Sequence, residues 1–235
     1  MHRRFLLMII ALLGLPAVAL GQEMRNVEIN IGAGFTVPQS DSKNSSGTGG
    51  NFQLGATINL TPIIGVQANY FYNRFGSKDF SANPCVPNPS SPGQICGSIP
   101  FSLRHSMHDG DFSVILASPR KEFLTPYAIL GVGVYHHVVN LTTASVGLGS
   151  VCDPWIYVCY PTLVPVENII GERTSTDFGT NVGGGVLLHL GYGTYFYSEV
   201  RYIHTWGPTI SNPLTGASVK ANGNYWPVVF GLKIY

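Results

Sequence analysis

Alternation of apolar and polar residues is strongest between Thr176 and Trp206, where two runs flank a Gly191–Gly193 turn. One parity of each run is apolar, and the other parity of the second run carries Glu199 and Arg201. Successive side chains of a strand point to opposite faces, so this segment is predicted to be a β-hairpin with one apolar and one polar face. The apolar positions are Phe178, Val182, Val186, Leu188, Leu190, Phe196, Val200 and Tyr202.

The same alternation predicts six further strands, so the chain is expected to contain eight in all. These six cover residues 27–37, 52–60, 66–73, 112–116, 126–139 and 226–234. The connections alternate between long and short, the long ones being residues 38–50 (expected to be a mobile loop), 76–106, 140–175 and 207–223. The fold class that follows is all-β, an eight-stranded antiparallel up-and-down transmembrane β-barrel with short periplasmic turns and long external loops.

A soluble lipocalin-like barrel also has eight strands, but its apolar side is the interior, and nothing places all of its long loops at one end. Only 11% of the residues are charged, and no later stretch of about 18 apolar residues could form a spanning helix. Strands that span a membrane hide their apolar residues in alternation, so the composition favours the transmembrane barrel. The net charge of +1 gives no reason to expect nucleic acid as a partner.

The N-terminus has the features of a secretory signal peptide. Arg3 and Arg4 precede an apolar run, Pro16 ends the run, and small residues follow up to Gly21. We therefore expect residues 1–21 to be removed and residues 22–235 to form one barrel domain. The alternative, a membrane anchor, would need a longer apolar run.

The mature chain resembles the eight-stranded outer-membrane barrel family typified by OmpA and OmpX. The residues that carry the resemblance are Pro126-Tyr127, Gly131-Val132-Gly133-Val134-Tyr135, Gly183-Gly184-Gly185-Val186 and Glu199-Val200-Arg201-Tyr202. The resemblance implies location in the outer membrane of a Gram-negative-type bacterium, contact with its lipid and lipopolysaccharide, and assembly by the barrel insertion machinery. One departure is that the terminal Tyr235 shares the parity of Lys233, whereas family members usually end on a lipid-facing aromatic residue.

Charged residues within the spanning height are the first candidates for function. Glu199 and Arg201 share the polar face, and Glu28 and Asp111 are further candidates for the same network. Such charges could form a gate or ion path, or they could be a structural network of ion pairs. The interior of eight strands is just wide enough for side chains to fill, so the structural network is favoured over a pore.

His204 raises the possibility of an enzyme, because the strand around it is similar to the catalytic strand of PagL-type lipid A deacylases. Those enzymes place a serine two residues after the histidine, on the same face, where the imidazole can activate the hydroxyl. Here that position is Trp206, and no acidic residue follows Thr205. We therefore predict no enzyme activity, no cofactor and, since the histidines show no zinc-ligand spacing, no metal site.

The four cysteines fall into two local groups, each within one long loop. Cys85 is near Cys96, and Cys152 is near Cys159. Cysteines of an exported chain favour disulfides over metal, and local pairing is the simplest of the three possible connectivities. The expected function is accordingly a structural envelope role or an adhesin-like contact with an extracellular ligand or surface, made through long disulfide-bearing loops.

Overall fold

The computed structural model describes residues 27–83, 85–87, 94–118, 123–153, 155, 158–211 and 218–235. Eight long strands form the body of the protein. They are β1 (Val27–Pro38), β2 (Gly47–Asn59), β3 (Ile64–Gly76), β4 (Ile99–Ala117), β5 (Leu124–Asp153), β6 (Val158–Gly191), β7 (Thr194–Trp206) and β8 (Gly223–Ile234). The predicted signal peptide, residues 1–21, lies outside the described residues, so the domain boundary at residue 22 stays a prediction.

The eight strands form a closed ring. Each strand pairs antiparallel with the next one along the chain, and β8 pairs with β1 from Ile29↔Ile234 to Pro38↔Tyr225. The predicted up-and-down barrel is therefore confirmed, and the start and end of the described chain lie side by side in its wall. Among the described residues, no helix has the length and apolar composition needed to cross a membrane.

The barrel is apolar outside and mixed polar inside. On β5, Leu130 and Val132 are 63% and 61% exposed, whereas Ile129 is 2% exposed and faces the interior. The same alternation continues around the ring and exposes a band that includes Ile31, Leu54, Val66, Phe112, Val182, Val200 and Phe230. An apolar exterior around a polar interior is the arrangement that a lipid bilayer requires and that a soluble barrel reverses.

The short connections that the structure describes are tight turns at one end of the barrel. Residues 191–193 join β6 to β7 with positive φ angles of 108°, 50° and 75° at Gly191, Tyr192 and Gly193. Glycine tolerates this left-handed conformation, which explains the Gly-Tyr-Gly sequence. The short connection predicted between strands 112–116 and 126–139 includes residues 119–122, which the structure does not describe.

The prediction that residues 140–175 form a long loop is wrong. β5 and β6 continue through it as an antiparallel ladder that reaches Asp153↔Val158, with one irregularity between Leu141 and Thr142. The irregularity resets the register, and β-branched residues on both strands favour extended backbone beyond it. The result is a hairpin (residues 142–169, hereafter the outer hairpin) that stands above the barrel.

The other long connections also hold more structure than the sequence indicated. The predicted mobile loop at residues 38–50 contains one helical turn, Ser42–Ser45, before β2 begins at Gly47. β4 begins thirteen residues before the predicted strand 112–116, because its first part pairs with a short strand, Lys78–Ala82. Further short pairs are Cys85–Pro87 with Gln94–Cys96 and Thr209–Ser211 with Ser218–Lys220.

Candidate functional site

A buried ion-pair network lies at mid-height inside the barrel. Arg201, on β7, is 0% exposed and contacts Glu199 at 2.5 Å and Asp111 of β4 at 3.1 Å. Glu199 also accepts a hydrogen bond of 2.7 Å from the hydroxyl of Tyr127 on β5. A buried charge is stable only when it is paired and hydrogen-bonded, and both carboxylates meet that condition here.

Glu28, the fourth residue predicted for this network, has a different cation as its partner. Its carboxylate lies 3.5 Å from the ammonium of Lys233 on β8 and accepts a 2.6 Å hydrogen bond from Asn59. The Lys233 ammonium also lies 5.9 Å from the centre of the Tyr127 ring, so Tyr127 stands between the two ion-pair groups. Sequence reasoning placed Lys233 on the interior parity but did not assign it to the network.

Amide side chains join the ion pairs to the opposite wall. Asn69 donates to Asp111 at 3.1 Å and accepts from Gln53 at 3.0 Å. Gln67 donates to Asn30 at 3.0 Å in the adjoining layer. Together with buried aromatic rings these groups pack the middle of the barrel, which favours a structural role for the charges.

Two glycines make room for aromatic rings in this interior. Tyr127 lies directly opposite Gly185, and a Cβ atom at Gly185 would come within 2.6 Å of the Tyr127 hydroxyl. Tyr197 lies opposite Gly231, where a Cβ would come within 2.7 Å of the ring. The glycine-rich pattern of β6 therefore lets Tyr127 lie close to the wall and reach Glu199.

A second polar group lies at the outer mouth and was missed from the sequence. The Ser46 hydroxyl contacts His105 Nδ1 at 2.9 Å, and His105 Nε2 contacts His137 Nδ1 at 3.1 Å. His137 Nε2 lies 3.8 Å from a carboxylate oxygen of Asp177. One tautomer of each ring lets Ser46 donate to His105 and His105 donate to His137, whereas His137 Nε2 makes no hydrogen bond to the carboxylate. We call these four residues the mouth relay.

The parity of His105 and His137 could have indicated that they face inward. Each is an even number of residues from a buried position of its own strand, His105 from Asp109 and His137 from Tyr135. Their contact depends on β4 beginning at Ile99, well before the strand that the apolar pattern predicts. The sequence therefore indicates that both rings face inward, but it does not indicate that they lie close together.

Three residues of the mouth relay, His105, His137 and Asp177, border a cavity of about 450 Å³ at this end of the barrel. The wall of the barrel is polar at this level, since Ser106, His136 and Thr176 occupy the outward positions beside the relay. The relay therefore lies above the lipid-facing band. The other residues that line the cavity include Asp41, Ser42, Arg173, Thr205, Lys220 and Tyr225.

Burial keeps both imidazoles of the relay neutral. It lowers the pKa of His105 from 6.5 to about 3, and the neighbouring His137 adds to the effect. Burial likewise lowers the pKa of His137 to about 4, although the Asp177 carboxylate acts in the opposite direction. Among the described residues, no group of three His, Cys, Asp or Glu side chains is placed to hold a metal ion.

His204, the residue considered for catalysis, lies on the outer wall. Its Nδ1 contacts Asn224 at 2.7 Å, and its ring packs edge-on against Trp206 at 5.5 Å between centroids. Thr205, the neighbouring hydroxyl, is 1% exposed and lies on the interior parity. The residues of β7 on either side of His204 on its own face are Tyr202 and Trp206, so the strand places no serine hydroxyl two residues after the histidine, as the sequence indicated.

The cysteines are brought together as two local pairs. Cys152 and Cys159 form a disulfide at the tip of the outer hairpin. Cys85 and Cys96 lie directly opposite each other in a short ladder. A disulfide between Cys85 and Cys96 remains a prediction.

Comparison with known proteins agrees with the architecture. No protein-family model matches the sequence, and no curated protein sequence is significantly similar to it. Neisserial surface protein A has a similar structure, with a TM-score of 0.51, 12% identity, and coverage of 88% of this chain and 96% of that one. The protein has the fold of an eight-stranded outer-membrane β-barrel. With its apolar exterior, this fold confirms the predicted location in the outer membrane of a Gram-negative-type bacterium.

Two further barrels are similar at lower scores. Ail, the attachment invasion locus protein of Yersinia pestis, solved with the heparin analogue sucrose octasulfate, gives a TM-score of 0.44 at 12% identity over 90% of this chain and all of Ail. The outer-membrane protease OmpT of Escherichia coli gives 0.37 at 11% identity, over 89% and 96% of the two chains. At such identities the likeness concerns the fold alone, and it assigns neither adhesion nor proteolysis to this barrel.

Proposed function

We propose that the protein is a non-enzymatic outer-membrane barrel that contacts an extracellular ligand or surface through its outer hairpin. The observation that supports this proposal is that the hairpin extends beyond the ring. β4 accompanies β5 only as far as Ser102↔Thr142, and β7 accompanies β6 only as far as Trp206↔Phe178. Beyond these pairs, and among the residues that the structure describes, the two strands pair only with each other in the main sheet.

The outer hairpin exposes large apolar side chains to water. Leu148 and Trp155 are 87% and 88% exposed, and Val146 and Leu163 are 69% and 65% exposed. Leu148 lies opposite Leu163 and shares its parity with Val146, so these three residues form a strip on one face. Exposed apolar strips on otherwise polar segments mark interaction sites, because burying them against a partner is favourable.

The disulfide at the tip supports the same function. An isolated two-stranded hairpin is marginally stable in water, and a cross-link at its end restricts the unfolded alternatives. The Cys152–Cys159 bridge therefore keeps the apolar strip in one arrangement without help from the barrel. A preorganised strip loses less conformational entropy when it binds.

Deleting residues 144–167 and closing the ends with an Asn-Gly turn tests the proposal. We expect the variant to keep its heat-modifiable migration on gels, because the ring is untouched, and cells that display it to lose retention on a serum-protein-coated surface. A matched variant, Leu148→Ser with Leu163→Ser, keeps the hairpin and should lose most of the retention. Equal retention by the parent and both variants would contradict the proposal.

A hydrolytic enzyme is the second candidate, and the mouth relay is the observation in its favour. In this arrangement the imidazole of His105 could remove a proton from the Ser46 hydroxyl, with His137 and Asp177 behind it. Ser46, however, is 2% exposed and does not line the cavity, so a substrate has no path to its oxygen. We therefore expect no labelling by a fluorophosphonate serine probe. Labelling that disappears in Ser46→Ala would establish the enzyme.

The PagL-like alternative is tested separately at His204. We expect overproduction of the protein, and of His204→Ala, to leave the acyl composition of lipid A unchanged in mass spectra. Loss of an acyl chain that depends on His204 would contradict the non-enzymatic proposal. Contact with outer-membrane lipid and use of the barrel insertion machinery remain part of the proposal, since any barrel of this kind requires both.

A further inference from the structure

A polar cavity of about 340 Å³ lies on the outer wall where the main ladder between β3 and β4 ends. The last pair of that ladder is Arg74↔Ser106, and the chain then turns at Ser77 into the next short strand. Arg74 and Arg104 both border the cavity. The cavity is separate from the outer hairpin strip on which the proposed function rests.

The two arginines are placed to act on one anion. Arg104 lies two residues from Ser106 on the same face, so it is the diagonal neighbour of Arg74, at about 7–8 Å between Cα atoms. A guanidinium is long enough to reach a common point from either position, and it binds phosphate oxygens through a fork of donors. No carboxylate lies within ion-pair distance of Arg74 among the residues that the structure describes.

Neutral hydrogen-bonding groups complete the lining. The hydroxyls of Ser77 and Ser106 and the amide of Asn140 border the same cavity. The amide oxygen of Asn140 is buried and has no hydrogen-bond partner. It can accept from a sugar hydroxyl or, with the amide turned over, the side chain can donate to a phosphate oxygen. The lining therefore matches a phosphorylated sugar better than a bare anion.

The height of the cavity on the barrel identifies the source of that group. The outward residues just below Arg74 are Tyr72 and Tyr70, which gather around His108, with a 2.8 Å hydrogen bond from Tyr70 and a 4.8 Å ring contact from Tyr72. Aromatic side chains of this kind mark the interface between the bilayer core and the head groups. Arg74 is two residues beyond Tyr72, about 7 Å along the strand, and so lies at head-group level.

We propose that Arg74 and Arg104 bind the phosphate of a phosphorylated glycolipid in the outer leaflet, with Ser77, Ser106 and Asn140 contacting the phosphate and its sugar. Without the lipid, Arg104 donates to Glu167 of the outer hairpin, and both side chains are nearly half exposed. An ion pair this exposed contributes little, so the lipid phosphate can displace Glu167.

The test is titration of the protein in uncharged detergent with lipid A, followed by native mass spectrometry. We expect Arg74→Gln and Arg104→Gln each to weaken binding about tenfold, since a charge-assisted hydrogen bond contributes about 1.5 kcal/mol or more. Arg173→Gln, which removes a cation at the other cavity, should bind as the parent does. Glu167→Gln should bind at least as tightly as the parent, because it frees Arg104.

Two further arms separate the lipid from other anions. The parent protein should bind dephosphorylated lipid A about as weakly as the double variant Arg74→Gln with Arg104→Gln binds intact lipid A. Millimolar inorganic phosphate should not displace lipid A from the parent protein. Retained heat-modifiability shows that each variant is folded. The proposal is overturned if dephosphorylated lipid A binds like the parent lipid, if inorganic phosphate displaces it, or if Arg173→Gln weakens binding as much as Arg74→Gln does.

Discussion

β5 and β6 form both the wall of the barrel and the outer hairpin, so the same two strands can be compared in two surroundings. In the wall, Tyr135 is 0% exposed and Leu130 is 63% exposed, because one face meets the packed interior and the other faces outward. In the hairpin, Leu148 and Val151 are 87% and 53% exposed although they lie on opposite faces. Alternation of apolar and polar residues therefore indicates a membrane-spanning strand only where one face of the strand packs against the barrel interior.

The ion pairs of the two regions also differ in their exposure to water. Arg201 in the wall and Arg104 at the base of the hairpin each pair with a glutamate, yet the side chain of Arg201 is 1% exposed and that of Arg104 is 44% exposed. Water can hydrate Arg104 and Glu167 if they separate. Glu199 and Asp111 have no such alternative, so the interior pair should be required for stability and the exposed pair should not.

The largest effect is expected for Arg201→Leu. The substitution leaves the carboxylates of Glu199 and Asp111 buried without their cation, which costs about 3–5 kcal/mol in the free energy of unfolding. The matched substitution Arg104→Leu should cost at most about 1 kcal/mol. Urea unfolding in lipid vesicles, followed by tryptophan fluorescence, measures both. Equal costs for the two variants would remove the distinction between wall and hairpin.

Gly185→Val is expected to have the next largest effect. The new side chain would meet the Tyr127 ring and force it away from the wall, so strain is added and the hydrogen bond to Glu199 is lost. Overpacking of this kind costs about 2–3 kcal/mol. Gly149→Val, in the outer hairpin, is the control and should leave the unfolding midpoint of the barrel unchanged. A barrel that tolerates both substitutions would contradict the role assigned to Gly185.

Acidification should loosen the mouth before it affects the wall. The pKa values of His105 and His137 are lowered in the folded protein, so the unfolded state binds more protons once the pH falls below about 6.5. Stability is therefore lost as the pH falls from about 6.5 towards about 4 for His137 and about 3 for His105, and Asp177, beside His137, limits the loss. Between pH 7 and 5.5 we expect the free energy of unfolding to fall by about 2–3 kcal/mol for the two histidines together.

The double variant His105→Gln with His137→Gln is the control for this pH dependence. It should unfold with nearly the same free energy at pH 7 and pH 5.5, because glutamine does not titrate in this range. Protease cleavage within residues 38–50, measured against pH, reports the opening of the mouth directly. Cleavage that rises equally in the parent and the variant would show that other groups control the mouth.

The smallest effect on the barrel is expected for Cys152→Ser with Cys159→Ser. Closing so short a loop contributes about 2–3 kcal/mol in the chain-entropy estimate, but the contribution is confined to the outer hairpin. The unfolding midpoint of the barrel should stay unchanged, while trypsin cleavage near Arg173 or Arg104 becomes faster. A lower midpoint for the barrel would mean that hairpin and wall unfold as one unit.

The sequence predicted the wall well and the outer end poorly, for physical reasons. Strands such as β1 and β8 alternate strictly because one face meets the interior, so their positions and facing could be read directly. The hairpin meets water on both faces, and its apolar residues follow no single parity. Lys233 was placed on the interior parity, but its pairing with Glu28 depends on ring closure between β1 and β8, which a linear pattern does not contain.

Lipid and water accessibility of spin labels tests the central contrast most directly. Single cysteines introduced at Leu130, Val132, Val146 and Leu148 would carry the label, since all four positions are well exposed and apolar. We expect high collision rates with oxygen and low rates with a water-soluble nickel complex at Leu130 and Val132, and the reverse at Val146 and Leu148. Lipid-like accessibility at Val146 and Leu148, or water-like accessibility at Leu130 and Val132, would contradict this expectation.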